Sequence, residues 1–276
     1  MPTVWLNGSL VDAADAAVSV SDHGLTVGDG VFETMRTERG APFAATRHLR
    51  RLRASLDGLG LTLDRSDDEL REALTAVAGT VDGPAKVRLT VTAGPGPLGS
   101  GRDDDGLTTV IAAAPLEAWP ETGEAITVPW RRNEHSAVAG LKTTSYAENV
   151  VALARARELG ATEAILANTA GRLCEGTGSN VFVVVDGEVL TPPLSSGCLA
   201  GITRALVLDA LDVDVTIREA DLSMDVLTEA DEIFLTSSTR DVQGQHRIDD
   251  RVLQAPGPHT TTIAEAFARL AVDVDP

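Results

Sequence analysis

Lys142 is the residue whose type and setting are best suited to covalent chemistry. The chain has 21 Arg but only two Lys, at positions 86 and 142, so it does not rely on lysine for surface charge. A guanidinium stays protonated and cannot form a Schiff base with a carbonyl compound, whereas an amine can. Lys142 is expected at the end of a strand, directly before a helix whose dipole favours the neutral amine. The count alone leaves a surface lysine equally open, because Lys86 is also retained.

Two segments combine backbone amides and hydroxyl groups of the kind that hold a phosphate. Residues 197–204 open a helix from a glycine-containing loop, so the amides of Ile202 and Thr203 would point at an anion. Residues 236–239 follow an apolar strand and offer four hydroxyl groups. Each segment alone is more typical of ordinary capping or of a polar turn. Their value lies in occurring together with a candidate lysine.

Glu175 precedes a Gly/Ser-rich turn and a strongly apolar strand. A carboxylate here is either an ordinary loop acid or the partner of a protonated ring nitrogen, which a pyridine cofactor needs in order to act as an electron sink. The 5 His and 2 Cys of the chain show no ligand-pair spacing, which predicts no metal site.

The elements that must position these residues alternate without a regular βαβ rhythm, which favours an α+β fold. A hairpin turn is predicted at Asn7-Gly8, where both residues tolerate a positive φ, and further turns are predicted at Arg39-Gly40 and Asp186-Gly187. Three helices are predicted from their N-caps, which are Thr46, Ser66 with Glu69, and Ser145 with Glu148.

Prolines between residues 115 and 120 predict a break in regular structure. We therefore expect an N-terminal α+β domain at 1–115, an interdomain linker at 116–124 and a C-terminal domain at 125–276. The length of 276 residues is sufficient for this division.

Composition excludes several classes of protein. A net charge of −18 and a pI near 4.6 cannot supply the basic surface that nucleic-acid binding or a basic membrane-surface role needs. No apolar run approaches the ~18 residues of a spanning helix, and the N-terminus lacks a secretory-signal pattern. Two cysteines in so long a chain argue against a disulfide scaffold. We expect a cytoplasmic protein with no nucleic-acid or membrane partner.

Taken together, these segments resemble the class IV, fold-type IV pyridoxal-phosphate enzymes, which include branched-chain and D-amino-acid aminotransferases and aminodeoxychorismate lyase. The resemblance covers almost the whole chain and rests on ordered landmarks at residues 28–34, 48–52, 142, 175–182, 201–204 and 236–238. It implies a two-domain α+β fold, with an N-terminal α/β sandwich and a C-terminal pseudo-barrel. It also implies a homodimer, and pyridoxal 5'-phosphate in the cleft between the domains.

The resemblance further implies a role for each matching residue. Lys142 would hold the cofactor as a Schiff base and move a proton between substrate and cofactor. Glu175 would keep the ring nitrogen protonated, and Tyr146 would bond the phenolic oxygen. The phosphate would be bound by Arg51, Ile202, Thr203 and Ser238. Candidates for substrate binding are Val27, Phe32, Arg88 and Ser237.

The branch of the family is open at this point. D-amino-acid aminotransferases of the best-known type trap the substrate carboxylate with an Arg-x-His pair, and Leu98 and Ser100 stand at the matching positions. The lyases often have Thr-Arg-Gly where this chain has Thr92-Ala93-Gly94. Arg88 falls where branched-chain aminotransferases place a carboxylate-binding arginine, yet their partner tyrosine corresponds to Val27. A structural ion pair is equally open for Arg88.

The leading hypothesis is a transaminase that moves an amino group between an amino acid or primary amine and a 2-oxo acid. The alternative on the same fold is a lyase that cleaves aminodeoxychorismate to 4-aminobenzoate and pyruvate. A remote alternative is a protein that binds pyridoxal phosphate without turnover.

Overall fold

The structure is a computed structural model that describes residues 3–103 and 106–275, and it divides into two compact units. The first unit holds the described residues up to Glu117, the segment Leu141–Tyr146 and the last residues from Asp273. The second holds Ala118–Gly140 and Ala147–Val272. The first division falls inside the stretch 116–124, and the segment that carries Lys142 is part of the first unit.

The first unit is built from an antiparallel sheet and helices. Its strands are β1 (Thr3–Leu6), β2 (Ser9–Asp12), β3 (Gly30–Glu38), β4 (Ala41–Pro42), β5 (Ala85–Thr92) and β6 (Thr108–Pro115). They pair in the order β2-β1-β6-β5-β3-β4. The helices are α1 (His23–Thr26), α2 (Ala45–Leu59) and α3 (Asp67–Ala78).

Strand alternation explains how this sheet acquires a core face. Val87, Leu89 and Val91 of β5 are fully buried, whereas Lys86 and Arg88, at alternate positions, are exposed. The buried face packs against apolar residues of α2 and α3. The opposite face of β5 therefore carries the polar and charged side chains.

The predicted turns of this unit are confirmed. Asn7 and Gly8 have φ values of 48° and 109°, and Arg39 and Gly40 have φ values of 50° and 81°. These left-handed conformations join β1 to β2 and β3 to β4.

The two helix caps of this unit have different outcomes. The predicted capping of α3 by Ser66 and Glu69 is confirmed, since the Ser66 hydroxyl accepts from the Glu69 amide and the Glu69 carboxylate accepts from the Ser66 amide. The prediction that Thr46 caps α2 was wrong, because the helix begins at Ala45 after a left-handed Ala44. The carboxylate of Asp275 accepts from the Thr46 amide at 2.9 Å and from its hydroxyl at 2.5 Å. A local motif cannot reveal a cap that lies so far along the chain.

The second unit is built on a mixed sheet. Its strands are β7 (Thr122–Arg132), β8 (Glu163–Asn168), β9 (Leu173–Gly176), β10 (Asn180–Val185), β11 (Glu188–Thr191), β12 (Ile217–Glu219), β13 (Glu232–Ser237), β14 (Asp241–Ile248) and β15 (Arg251–Val252). The order is β12-β11-β10-β13-β14-β7-β8-β9, with β15 paired to β14. Its helices are α4 (Ala147–Glu158), α5 (Ile202–Asp209), α6 (Val226–Glu229) and α7 (Pro258–Leu270).

This sheet curls into a half-barrel around apolar side chains of β10 and β13, such as Val181, Val183 and Leu235. Asp186 and Gly187 have positive φ, which confirms the third predicted hairpin. Helices combined with one antiparallel and one mixed sheet, without a βαβ repeat, confirm the predicted α+β class. Cys174 and Cys198 are free and buried. Among the helices of the described ranges, none has the length and apolar character to cross a membrane.

The third predicted cap was wrong. Helix α4 begins at Ala147, and the Ser145 hydroxyl donates to the carbonyl of Gly28 at 2.9 Å instead. The segment before α4 is held by β3 and the loop in front of it, since Thr144 also donates from its amide to Gly30 at 2.8 Å.

Candidate active site

Lys142 lies beside the first residues of β3 in the first unit. The Phe32 amide donates to the Lys142 carbonyl at 2.9 Å, and an isolated antiparallel bridge joins Val31 to Thr143. The Lys142 amide donates to the Ser55 hydroxyl of α2 at 3.2 Å. The expectation that Lys142 ends a strand was wrong, because only this single bridge forms. It still fixes the backbone of Lys142 against β3 and α2.

This pairing places the Lys142 side chain on the same face as Phe32, because opposed residues of an antiparallel pair share a face. The Lys142 Nζ lies 4.4 Å from the centroid of the Phe32 ring and 5.7 Å from that of Tyr146. The two rings meet edge to face, with centroids 5.1 Å apart. Three residues predicted for the site are therefore brought together.

Arg88 reaches the same ring from β5. Its guanidinium carbon lies 3.7 Å from the Phe32 centroid, and its Nε lies 3.4 Å from the Thr90 hydroxyl. No carboxylate pairs with Arg88 in the part of the chain that the structure describes, so the alternative of a structural ion pair was wrong. Partial burial lowers the pKa of Arg88, and Tyr146 opposes that effect. The guanidinium remains a cation available to a ligand carboxylate.

Arg51 is held by a buried acid on the other face of β3. Glu33 Oε1 accepts from Arg51 Nε at 2.8 Å, and Oε2 accepts from Arg51 Nη2 at 2.6 Å. Oε2 also lies 2.6 Å from Nδ1 of His48. Burial would raise the pKa of Glu33, but Arg51 and then His48 outweigh it and lower the pKa to about 2. The guanidinium therefore faces a permanent carboxylate.

Glu175 lies on β9 of the second unit, with its side chain about 10% exposed. Its Oε2 accepts from the Leu199 amide at 2.9 Å. Its Oε1 lies 3.0 Å from Nε of Arg132 at the end of β7, and Arg132 also approaches Glu148 at 3.6 Å. The carboxylate is thus oriented by one amide and one guanidinium.

The predicted phosphate-binding residues of the second unit lie at a helix start and a hairpin tip. Gly201 precedes α5 without a side-chain cap, which leaves the first amides of α5, those of Ile202 and Thr203, facing outward from the helix end. Ser238 follows directly after β13, which ends at Ser237. Next to them, the buried hydroxyl of Thr236 has no hydrogen-bond partner among the described residues. This donor set suits a phosphate group.

Val27 follows the last residue of α1; it is 42% exposed, and its amide donates to the His23 carbonyl at 3.0 Å. No hydrogen bond or ring contact joins Val27 to Phe32, Lys142 or Arg88 within the ranges described. Of the substrate candidates in the first unit, only Phe32 and Arg88 are brought to Lys142.

Sequence reasoning assigned no role to Glu33, His48, Ser55 and Arg132. Glu33 and His48 lie inside the landmark segments 28–34 and 48–52, and the helical spacing of His48, Arg51 and Ser55 was available as a signal. Nothing in the sequence indicated that Arg132 approaches Glu175.

The family sequence profile described as amino-transferase class IV matches residues 30–248. A D-alanine aminotransferase of Listeria monocytogenes is 34% identical over 262 residues, which cover 89% of this chain and 87% of the relative. A branched-chain-amino-acid aminotransferase of Salmonella typhimurium is 32% identical over 282 residues, covering 96% and 91%. An aminodeoxychorismate lyase of Bacillus subtilis is 30% identical over 249 residues, covering 87% and 84%.

Solved structures agree with this assignment. The branched-chain aminotransferase of Thermoproteus uzoniensis with norvaline superposes with a TM-score of 0.89 at 33% identity, covering 98% of this chain and 94% of that one. A second branched-chain amino acid aminotransferase, complexed with N-(5'-phosphopyridoxyl)-L-glutamate, gives 0.90 at 27% identity, covering 99% and 95%. The predicted fold type and the predicted cofactor are confirmed. The chain belongs to the class IV aminotransferases, enzymes that depend on pyridoxal phosphate.

Proposed function

We propose that this enzyme transfers amino groups between an amino acid or primary amine and a 2-oxo acid, and that its preferred substrates carry a carboxylate. The observation that carries this proposal is the shared contact of Arg88 and Lys142 with the ring of Phe32. Arg88, which pairs with no carboxylate of the described residues, contacts the same ring as the reactive amine, and a substrate carboxylate would pair with it.

The residues of the proposed cofactor site are those that the family resemblance implies. By that resemblance Arg51, the amides of Ile202 and Thr203, and the Ser238 hydroxyl would bind the phosphate. Glu175 would hold a proton at the ring nitrogen, and Tyr146 would donate to the phenolic oxygen. The uncapped start of α5 and the Thr236 hydroxyl, which no described residue bonds, support a phosphate in the second unit.

Pyridoxal phosphate, when bound, supplies an electron-withdrawing ring that stabilises negative charge on the substrate carbon. Lys142 would attach the cofactor through Nζ and, once released, take the proton from that carbon as a general base. Arg88 and Phe32 would orient the substrate so that this proton faces Nζ. Ser237 and Val27 remain proposed substrate contacts, and we propose a homodimer in the cytoplasm, as the family resemblance implies.

Lyase activity on aminodeoxychorismate is the second candidate, supported by the relative of that name in Bacillus subtilis. The sequence Thr92-Ala93-Gly94 lacks the arginine that the lyases often place there, so transamination is favoured. The alternative of binding without turnover is not supported, because the family consists of enzymes.

The first experiment identifies the lysine. The protein is incubated with pyridoxal phosphate, reduced with borohydride and digested with trypsin. Modified Lys142 would resist cleavage, so the label should appear on the peptide 133–155. Lys142→Ala should lose the label, and Lys86→Ala, which removes the other lysine, should keep it. Label on Lys86, or none, would reject the cofactor site.

The second experiment separates the reactions. D- and L-alanine, glutamate, valine and (R)-phenylethylamine are each added, and absorbance reports conversion of the bound cofactor to its amino form. Conversion by amino acids supports the proposal. If none converts the cofactor while aminodeoxychorismate yields pyruvate, the enzyme is the lyase.

A further inference from the structure

A buried hydrogen-bond network lies behind Arg51, away from the face that carries Lys142 Nζ and Phe32. The Glu33 carboxylate has no exposed surface, and neither does His48. Two nitrogens of Arg51 and one of His48 meet its two oxygens at 2.6–2.8 Å. Glu33 therefore forms a bidentate pair with Arg51, and this geometry fixes the plane of a guanidinium.

The protonation states of this network follow from its surroundings. Burial lowers the pKa of His48, and although Glu33 opposes that effect, Arg51 and Lys142 add to it. His48 is therefore neutral at pH 7. Because an ionised carboxylate can only accept, the His48 proton lies on Nδ1 and is donated to Glu33. The network holds one negative charge, one positive charge and one oriented neutral donor.

One face of α2 connects this hydrogen-bond network to the backbone of Lys142. His48, Arg51 and Ser55 follow the i, i+3, i+7 spacing of a helical face. Arg51 and His48 bond to Glu33 of β3, while Ser55 accepts the backbone amide of Lys142. The cation proposed for the phosphate and the backbone of the reactive lysine are thus fixed to the same helix.

We propose that Glu33 is a positioning residue for the cofactor phosphate, and that His48 orients Glu33. The inference rests on the proposed role of Arg51. Glu33 does not touch the phosphate; it holds the Arg51 guanidinium in one orientation, so the cofactor meets a preorganised cation instead of a mobile side chain. If Glu33 acted only by its negative charge, it would repel the phosphate and weaken cofactor binding. Removing that charge should therefore raise affinity if repulsion dominates and lower affinity if positioning dominates.

The test measures cofactor affinity of the apoprotein by equilibrium dialysis, without turnover. Pyridoxal phosphate and pyridoxal, which lacks the phosphate, are the two probes. Glu33→Gln should lower the affinity for pyridoxal phosphate by about 10- to 100-fold, which is the range found when a group that orients a metal ligand is removed. Pyridoxal should bind as in the wild type. His48→Gln should give a smaller loss with the same selectivity.

Two controls separate positioning from general damage. Glu38→Gln removes a carboxylate of the same strand that pairs with Arg36 at 2.6 Å, and it should leave both probes unchanged. In an Arg51→Met background, Glu33→Gln should cause no further loss, because the group it acts through is gone. If Glu33→Gln does not fold, Glu33→Asp takes its place, with the same selective loss expected because the shorter side chain cannot keep both bonds.

The dialysis results distinguish failure of the positioning role of Glu33 from failure of the proposed function. If the wild type does not bind pyridoxal phosphate, the proposed function fails. If the wild type binds it but Glu33→Gln binds it equally well or more tightly, only the positioning role is overturned. An equal loss for both probes would also overturn it, since that result means distortion of the lysine side of the site.

Discussion

Arg88 and Lys142 come from different segments of the chain, and their cationic groups contact the same ring, that of Phe32, at 3.7 and 4.4 Å. The face of an aromatic ring attracts a cation, so Phe32 can hold these groups without supplying a carboxylate. In the proposed site, a carboxylate of the ligand would pair with Arg88.

Arg88→Gln should therefore separate substrates by their charge. Loss of a charged hydrogen bond costs about 1.5–3 kcal/mol, so kcat/KM for carboxylate-bearing substrates should fall about 10- to 100-fold. The rate with (R)-phenylethylamine, which has no carboxylate, should change little. Lys86→Gln is the matched control, because Lys86 lies two residues away on the same exposed face of β5. Equal losses with both substrates would contradict the role of Arg88.

Phe32→Leu should show how much the aromatic ring contributes to activity with amino acids. A cation–π contact is worth about 0.5–2 kcal/mol, so a several-fold fall in kcat/KM for amino acids is expected. Phe43→Leu provides the comparison, since Phe43 belongs to the same unit and the guanidinium carbon of Arg36 lies 4.4 Å from the centroid of its ring. Steady-state kinetics of both variants decide the point. A Phe43→Leu variant as impaired as Phe32→Leu would indicate a loss of folding instead.

Glu175→Gln should retain the cofactor on Lys142 but lower kcat, because an amide cannot hold a proton at the ring nitrogen by charge. Removal of one preorganised electrostatic group costs on the order of 10²–10³ in rate. Glu148→Gln is the control, since Glu148 also approaches Arg132 but is 75% exposed. Single-turnover kinetics with a fixed amino donor measure the effect. Unchanged kcat in Glu175→Gln would remove this residue from the mechanism.

Several residues of the proposed site were predicted from the sequence, and the contacts that were missed join residues distant along the chain. Lys142 was identified from its rarity and from its segment, and the caps Ser66 and Glu69 from a local motif. The cap of α2 could not be predicted, because Asp275 supplies it from the other end of the chain. Arg132 was missed for the same reason, since its approach to Glu175 depends on how β7, β8 and β9 pair.

Glu33 should make stability depend on pH in a defined direction. Its pKa is 4.5 in the unfolded chain and about 2 in the folded protein, so the stabilisation is present above pH 4.5 and is lost as pH falls toward 2. At 1.36 kcal/mol for each tenfold change in proton affinity, the full effect is about 3 kcal/mol. Urea unfolding of the apoprotein and of Glu33→Gln between pH 6 and pH 3 should show the difference between them shrinking. A constant difference would contradict this assignment.

Ser66→Ala should lower stability without altering activity. Loss of an N-cap costs about 0.5–2 kcal/mol, and here it also removes the bond that the Ser66 hydroxyl donates to the Glu69 carboxylate at 3.0 Å. Thr75→Ala in the same helix removes only a hydroxyl that bonds to the Arg71 carbonyl, and its effect should stay within about 0.5 kcal/mol. Thermal unfolding of both variants provides the measurement. Equal changes would mean that the Ser66 cap contributes nothing beyond helix propensity.

Consecutive residues of β3 divide the tasks of the first unit between two faces, with Phe32 on one and Glu33 on the other. In the proposed site, substitutions on the Phe32 face would change which substrates are accepted and leave cofactor binding intact, so the substrate range would diversify one residue at a time. Insertion or deletion of a single residue would exchange the two faces and destroy both tasks together. We therefore expect β3 to tolerate point substitutions but not insertions or deletions.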